Sequence, residues 1–143
     1  MKKLLLGFAA LFLAATTSSA NAQTVKVYPI PQNITWGDET AFESSASYTI
    51  TGEAEADTDA INLFKTKFGT TDGTVELIIG ERGDAAVAAY ESLIPEKAEG
   101  YYLEVTPNKV VIAGNDGSGT YYGVQTFSKI ASQPNVMCAT ITD

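Results

Sequence analysis

The chain has 143 residues and a formal net charge of −8, from 17 acidic and 9 basic side chains. This acidic balance argues against nucleic acid and anionic membrane surfaces as partners, because both are bound through basic patches. The sequence contains no histidine, which excludes Ser-His-Asp and Cys-His catalysis and histidine zinc sites within this chain.

Cys138 is the single cysteine of the sequence. An intrachain disulfide and a two-cysteine metal site are therefore excluded. Its neighbours Val136, Met137 and Ala139 are apolar or small, which predicts a buried thiol. A reactive thiol requires an electropositive setting, and no lysine or arginine lies close to Cys138 in the sequence.

The first 22 residues have the pattern of a secretory signal peptide. Met1-Lys2-Lys3 is a basic start, Leu4 to Ala15 is almost wholly apolar, and Ala20-Asn21-Ala22 is a small-x-small cleavage site. The apolar part is too short to span a membrane, and no stop-transfer segment follows it. We therefore expect one domain, residues 23–143, in a secreted or periplasmic protein whose net charge falls to −10 because two lysines and no acids are removed.

Two short strands are predicted before residue 40. Alternating valines lead up to Tyr28-Pro29, which indicates a strand from Thr24 to Ile30 that ends at proline. Ile34 to Trp36 is a second, very short apolar run. Trp36 is either a sugar-stacking residue or part of the core, and a single tryptophan in a small domain is more often part of the core.

A strand–helix–strand unit is predicted next. Ser47 to Thr51 and Val75 to Ile79 have strand patterns, and apolar residues recur at helical spacing from Ala56 to Phe68. Gly69 is the expected stop of the helix. If the two strands are parallel, the connection is a right-handed crossover.

Four acids precede this helix: Glu53, Glu55, Asp57 and Asp59. They either begin the helix, where negative charge is favoured, or bind calcium. A calcium loop needs oxygen ligands at a defined spacing and a glycine at the bend, and the sequence does not have that pattern. The helix start is the favoured interpretation.

The segment from Asp84 to Ala113 is predicted to form a short helix and then a β-hairpin. Pro95 ends the helix. The helix residues available for packing are Ala85, Val87, Ala88 and Leu93. Tyr101 to Thr106 alternates like a half-exposed strand, whereas Val110 to Ala113 is apolar throughout, as expected for a strand covered on both faces. Thr106 to Lys109 is the predicted hairpin turn.

Gly114 to Gly119 is a glycine-rich corner that leads into an amphipathic helix. The buried positions expected in that helix are Tyr121, Val124, Phe127 and Ile130. Asp116 or Ser118 is expected to accept hydrogen bonds from the first free amides of the helix. A corner of this kind can also bind phosphate, but its spacing matches neither the G-x-G-x-x-G nor the P-loop pattern, so a helix cap is favoured over an anion site.

With a last strand predicted from Val136 to Ile141, the elements form an α+β fold. We expect two layers, a mixed β-sheet with two main helices packed on one face. The residue pattern predicts no catalytic, cofactor-binding or metal-ligating residue and no cofactor. Composition and spacing by themselves indicate a secreted globular domain.

Three segments carry a resemblance to a known family. Glu99 to Leu103, Val111 to Asp116 and Gly119 to Phe127 resemble the N-terminal domain of secreted N-acetylhexosaminidases. The closest likeness is to bacterial family 84 glycoside hydrolases, the O-GlcNAcase and hyaluronoglucosaminidase-like enzymes, and family 20 beta-hexosaminidases have a similar domain. Tyr28 to Gln32 is similar to the proline-glutamine opening of those domains, so the resemblance covers the chain from about Val27 onward.

The resemblance implies a non-catalytic domain that precedes a (β/α)8 barrel in the same polypeptide. In those families the barrel carries an acidic pair that cleaves N-acetylglucosaminides with help from the substrate's acetamido group. No such pair matches residues of this chain, which ends near the expected join to the barrel. The resemblance therefore implies part of a secreted beta-N-acetylglucosaminidase that is inactive by itself.

Two alternatives remain open at this point. The first is a free-standing carbohydrate-binding module, which requires exposed aromatic side chains that form a platform for a glycan. Its candidates are Trp36, Tyr101, Tyr102, Tyr121 and Tyr122. The second is a hydrolase that uses acids such as Glu76, Glu81 and Asp84, although nothing in the sequence places these acids around a cleft.

Overall fold

The computed structural model describes residues 25–69 and 72–143, so the predicted signal peptide lies outside the described residues. These two ranges contain six strands, two α-helices and one 3-10 helix. In chain order they are β1 (Asn33–Glu43), β2 (Tyr48–Thr51), α1 (Thr58–Phe68), β3 (Val75–Glu81), the 3-10 helix (Ala85–Leu93), β4 (Tyr101–Thr106), β5 (Lys109–Gly114), α2 (Gly117–Ile130) and β6 (Asn135–Thr142). No helix within the described ranges has the length and apolarity needed to cross a bilayer.

The strands form one mixed sheet with the order β1-β6-β4-β5-β3-β2. Strands β2, β3 and β5 are parallel to one another, and every other neighbouring pair is antiparallel. The predicted strand–helix–strand unit is confirmed, because β2 and β3 pair in parallel from Tyr48 opposite Val75 to Thr51 opposite Ile78. The predicted hairpin is confirmed as well, with Thr106 opposite Lys109 at its turn.

Both α-helices pack on the same face of the sheet and form the main core there. Phe64 of α1 and Phe127 of α2 are fully buried, and their rings stack with centroids 6.1 Å apart. Tyr48 of β2 contacts both rings edge-on. Helical spacing of apolar residues produces this layer, since it turns one side of each helix toward the sheet. The predicted α+β class, a mixed sheet with two main helices on one face, is confirmed.

The opposite face of the sheet is partly covered by the 3-10 helix. Val87 and Ile94 form a second, smaller core with Tyr102, Val111 and Ala113. The prediction that β4 is half exposed is therefore wrong at Tyr102, whose ring stacks on that of Tyr90 at 6.2 Å. The packing predicted for the short helix is also wrong in part. Val87 is buried as predicted, while Ala85, Ala88 and Leu93 are exposed.

The N-terminal strands differ from prediction. The described part of the predicted Thr24 to Ile30 strand forms no strand, and the run predicted from Ile34 to Trp36 is the start of the eleven-residue β1. Strand β1 pairs with β6 and its register shifts between Trp36 and Thr40 and again between Thr40 and Phe42. Pairing with β6 and these irregularities carry the strand through Gly37, Asp38 and Glu39, residue types that have low strand propensity.

Candidate functional site

The glycine-rich corner between β5 and α2 is a place of close backbone approach. A Cβ atom on Gly114 would lie 2.3 Å from the amide nitrogen of Thr120, and one on Gly119 would lie 2.2 Å from the carbonyl oxygen of Gly100. Backbone atoms cannot move aside like the end of a flexible side chain, so glycine is required at both positions. The corner thus seats the first turn of α2 directly against the strands.

The N-termini of both α-helices are capped by carboxylates of the chain itself. Asp116 accepts a hydrogen bond from the Gly119 amide at 2.8 Å and another from the Glu99 amide at 2.9 Å. Asp57 accepts from the Ala60 amide at 2.9 Å in α1. The predicted cap is therefore Asp116, and its negative charge stands where a bound phosphate would need the free amides.

Further carboxylates meet at the end of β3. Asp84 accepts a hydrogen bond from the Glu81 amide at 2.7 Å. Burial, followed by the charges of Asp84, Asp57 and Asp116, raises the pKa of Glu81 above its usual value. In the described parts of the chain, no group of three acidic or cysteine side chains is arranged to hold a metal ion.

Two of the three acids proposed for a hydrolase, Glu76 and Glu81, do not form a catalytic pair across a cleft. Glu76 and Glu81 lie on β3 five residues apart, so they point to opposite faces of the sheet and are separated by about 16 Å along the strand. A glycosidase pair is usually about 5 to 9.5 Å apart. Glu76 accepts a hydrogen bond from Thr51 at 3.2 Å, and the Asp84 carboxylate accepts one from the Glu81 amide.

The five aromatic residues proposed as a sugar platform are also not brought together. Tyr101 and Tyr102 are buried, and the Tyr101 hydroxyl is hydrogen-bonded to Thr126 at 2.8 Å. Trp36 is half-buried and packs against the main core, as the core interpretation predicts. Tyr121 and Tyr122 lie side by side on α2 with ring centroids 6.2 Å apart, and Tyr122 is the more exposed of the two.

A groove of about 360 Å³ runs between the N-terminal segment and α2. Tyr28 and Tyr122 line it with apolar surface, and Lys97 and Asp143 face each other there with a 3.8 Å distance between ammonium and carboxylate. The other contributions from α2 are Gln125, Thr126 and Lys129. Of the residues that line this groove, the sequence analysis named only Tyr101 and Tyr122 as candidate binding residues. The exposed side chains of α2 have the pattern of a solvated face, and the other lining residues come from separate segments of the chain.

Cys138 is partly exposed, so the predicted buried thiol is wrong. Its side chain lies on β6 with the sulfur 3.9 Å from a carboxylate oxygen of Glu39 on the neighbouring β1. Burial first, and the Glu39 carboxylate second, raise the pKa of the thiol. The thiol is therefore protonated at neutral pH, in agreement with the expected lack of reactivity.

Comparison with known proteins identifies the family. The sequence model of glycosyl hydrolase family 20, domain 2, matches residues 24–143. A beta-hexosaminidase of Porphyromonas gingivalis is 29% identical over 109 residues, which are 74% of this chain and 14% of that protein. The solved structure of CpGH84B is 26% identical with a TM-score of 0.66, and the match covers 84% of this chain and 22% of that one.

A glycoside hydrolase family 20 beta-N-acetylglucosaminidase of known structure is 25% identical with a TM-score of 0.59, over 84% of this chain and 22% of that one. The chain thus spans less than a quarter of the length of these relatives. The predicted relationship to the N-terminal domain of family 84 and family 20 enzymes is confirmed. The chain belongs to the family of glycosyl hydrolase family 20, domain 2.

Proposed function

We propose that this chain is the non-catalytic N-terminal domain of a secreted beta-N-acetylglucosaminidase and supports a catalytic (β/α)8 barrel that follows in the same polypeptide. One observation carries the proposal. The family match takes up residues 24–143, yet the matched region is only 14% of a beta-hexosaminidase and 22% of a beta-N-acetylglucosaminidase. Most of each relative therefore lies outside the part that this chain resembles.

The distribution of acids supports a non-catalytic role. Glu76 and Glu81 are too far apart to act on one glycosidic bond, and the caps Asp57 and Asp116 are committed to helix amides. We assign the chemistry to the barrel, where one carboxylate orients the acetamido group of the substrate and another protonates the leaving oxygen. The substrate class that follows is an N-acetylglucosaminide.

The gene and an activity assay test this proposal together. We expect the reading frame to continue past Asp143 into a barrel with an acidic pair. The full polypeptide should release nitrophenol from a nitrophenyl N-acetylglucosaminide, and it should keep its activity in the Glu76→Gln and Glu81→Gln variants. Turnover by the 143-residue chain alone, with contaminating hexosaminidase excluded, would overturn the non-catalytic assignment.

Secretion is a separate part of the proposal and is supported by the pattern of residues 1–22. We expect N-terminal sequencing of the mature protein from its native host to begin at Gln23. A Lys3→Glu change weakens the basic start and should slow export. A mature protein that still begins at Met1 and remains in the cytoplasm would contradict this part of the proposal.

A further inference from the structure

The first and the last described strands meet where the chain enters and leaves the sheet. Strand β1 begins at Asn33, which pairs with Thr142 at the end of β6. The residues just outside this pair, Gln32 and Asp143, are in contact although 111 positions separate them in the sequence. We call residues 27–32 the entry segment.

The backbone of Asp143 is bound to one neighbouring strand. Its amide donates to the Tyr101 carbonyl at 3.1 Å, and its carbonyl accepts from the Tyr101 amide at 3.0 Å. Two residues of an antiparallel pair that exchange both hydrogen bonds use the backbone groups of each residue for one partner strand. Asp143 therefore directs both backbone groups toward β4, and its side chain is the group that can bind the entry segment.

The carboxylate of Asp143 makes this second contact. Its Oδ1 atom accepts a hydrogen bond from the Gln32 amide at 3.2 Å. The Lys97 ammonium lies 3.8 Å from the same oxygen. Because Lys97 and Asp143 are both partly exposed, solvent screens their attraction, and the charge-assisted hydrogen bond from Gln32 is the specific contact.

This hydrogen bond holds a stretch of chain that forms neither helix nor strand. Val27 is buried in the main core at 4% exposure, and Pro31 is buried as well. Between them, Tyr28 and Ile30 are 64% and 73% exposed. The backbone of the entry segment is thus held near its two ends, and the Gln32 amide is bound beside the residue where β6 is left.

We propose that Asp143 is a positioning residue of the junction between this domain and the catalytic domain that follows. This inference rests on the proposed function, which supplies the following domain. The Asp143 side chain binds the entry segment to the end of β6, so the polypeptide leaves the sheet between two fixed neighbours, β4 and the entry segment. A connection that begins in this way has fewer conformations than a free linker, and it fixes the direction in which the next domain starts.

The length of the side chain determines which substitutions preserve this role. Asparagine has the same length as aspartate and keeps a carbonyl oxygen that can accept from the Gln32 amide, although it loses the attraction to Lys97. Alanine loses both contacts. Gln32→Pro removes the donor and leaves Asp143 itself unchanged, and proline is tolerated where a strand begins.

Hydrogen exchange of the full polypeptide, followed by mass spectrometry, tests the proposal. We expect the first amides after residue 143 to exchange roughly fivefold faster in Asp143→Ala than in wild type, because a charge-assisted hydrogen bond at the junction is lost. Gln32→Pro should give the same acceleration, and the double variant should exceed neither single change since both remove one contact. Asp143→Asn should exchange at the wild-type rate.

Asp38→Ala, at an exposed acid of β1, is the matched control and should leave the junction unchanged. Exchange after residue 143 that is unaltered in Asp143→Ala overturns the proposal. An Asp143→Asn variant that exchanges as fast as Asp143→Ala also overturns it, because the contact that matters would then be the attraction to Lys97.

Exchange in α1 and α2 separates positioning from general stability. It should be unchanged in all four junction variants, and an acceleration there equal to that at the junction overturns the proposal, since Asp143 would then only stabilise the fold. In each of these cases an active full polypeptide leaves the proposed function intact. A reading frame without a second domain overturns both.

Discussion

The two faces of the sheet are covered in different ways. On one face, α1 and α2 bury a large aromatic core that includes Tyr48, Phe64 and Phe127. On the other, the 3-10 helix covers only part of the sheet, and its Val87 and the following Ile94 belong to a small cluster. Burial of apolar surface stabilises the layer formed by α1 and α2. The 3-10 helix buries less apolar surface and is also stabilised by polar contacts.

Arg82 supplies those polar contacts on the far face. Its guanidinium donates to Asn115 at 2.9 Å, to the carbonyl of Glu91 at 3.3 Å and to the carbonyl of Ile94 at 2.7 Å. One side chain at the end of β3 therefore satisfies two carbonyls at the end of the 3-10 helix and joins them to the start of the glycine-rich corner. The 3-10 helix buries little apolar surface, so the hydrogen bonds of the Arg82 guanidinium contribute to holding it on the sheet.

The largest expected loss of stability distinguishes the core under the α-helices from the smaller core under the 3-10 helix. Phe127→Ala should lower the free energy of unfolding by about 3 to 5 kcal/mol, because a fully buried ring is lost from the aromatic cluster. Val87→Ala on the far face removes two methyl groups and should cost about 2 kcal/mol. Urea unfolding followed by Trp36 fluorescence measures both. The exposed Tyr122→Ala is the control, and equal costs for the two core variants would break the comparison.

Removal of Arg82 is expected to loosen the far face alone. Arg82→Met removes the charged donor to the part-buried Ile94 carbonyl and breaks the links to Glu91 and Asn115, so it should cost about 2 to 3 kcal/mol. Hydrogen exchange should accelerate at the amides of Val87 and Ile94 and remain slow in α1 and α2. Lys26→Met, at an exposed position, is the control. Uniform acceleration across both faces would show that Arg82 stabilises the whole domain.

Elements with a strong local pattern could be predicted from the sequence. The period of Val124, Phe127 and Ile130 indicates one buried helix side, and the structure buries all three. Alternation and a Pro-Asn turn locate the β4–β5 hairpin. Asp116 and Gly69 mark helix ends because carboxylates bind free amides and glycine adopts positive φ.

The elements that the sequence did not reveal depend on contacts made far along the chain. Strand β1 contains Gly37, Asp38 and Glu39, and it is a strand because β6 pairs with it about 100 residues later. Tyr102 is buried because the 3-10 helix packs over it. No periodic pattern in the sequence predicts where that helix lies. The groove beside α2 has no signal, because its lining comes from segments that only the fold brings together.

The helix caps test how the main layer is anchored. Asp116 accepts hydrogen bonds from two amides and Asp57 accepts one from the Ala60 amide, so Asp116→Ala should cost about 2 kcal/mol and Asp57→Ala about 1 kcal/mol. The free energy of unfolding in urea provides the measurement, with Glu96→Ala as the exposed control. A larger cost for Asp57→Ala would show that α1 depends more on its cap than α2 does.

Two buried tyrosines on the helix-covered face, Tyr48 and Tyr101, differ in the hydrogen bonding of their hydroxyl groups. Burial raises the pKa of Tyr48 and of Tyr101 to about 12, so both are protonated at pH 7. Tyr101→Phe leaves the buried Thr126 hydroxyl without its partner and should cost about 1 kcal/mol. The Tyr48 hydroxyl has no hydrogen-bond partner among the described residues, so Tyr48→Phe should be neutral or stabilising by up to about 1 kcal/mol. A cost at Tyr48 equal to that at Tyr101 would contradict this difference.

The smallest expected effect lies at Glu81, where carboxylates from both faces converge. Asp57 and Asp116 cap the helices of the main layer, Asp84 begins the segment that covers the other face, and all three raise the pKa of Glu81 after burial has done so. The folded state therefore retains the Glu81 proton to a higher pH than the unfolded state does. Its ionisation lowers the stability of the protein as the pH rises through the range just above 4.5.

Glu81→Gln removes this ionisation and should stabilise the protein at pH 7 while leaving it unchanged near pH 3, where the glutamate is protonated in both states. Urea unfolding at the two pH values measures the difference, and Glu96→Gln at an exposed position corrects for the lost charge. If Glu81→Gln instead lowers the free energy of unfolding at pH 7 and does not lower it at pH 3, the ionised carboxylate is held by an attractive contact. In that case an attractive contact of Glu81 would help to join the two layers at this edge of the sheet. The expected result instead means that the carboxylates repel one another there and are present because two of them cap helices and one forms a turn.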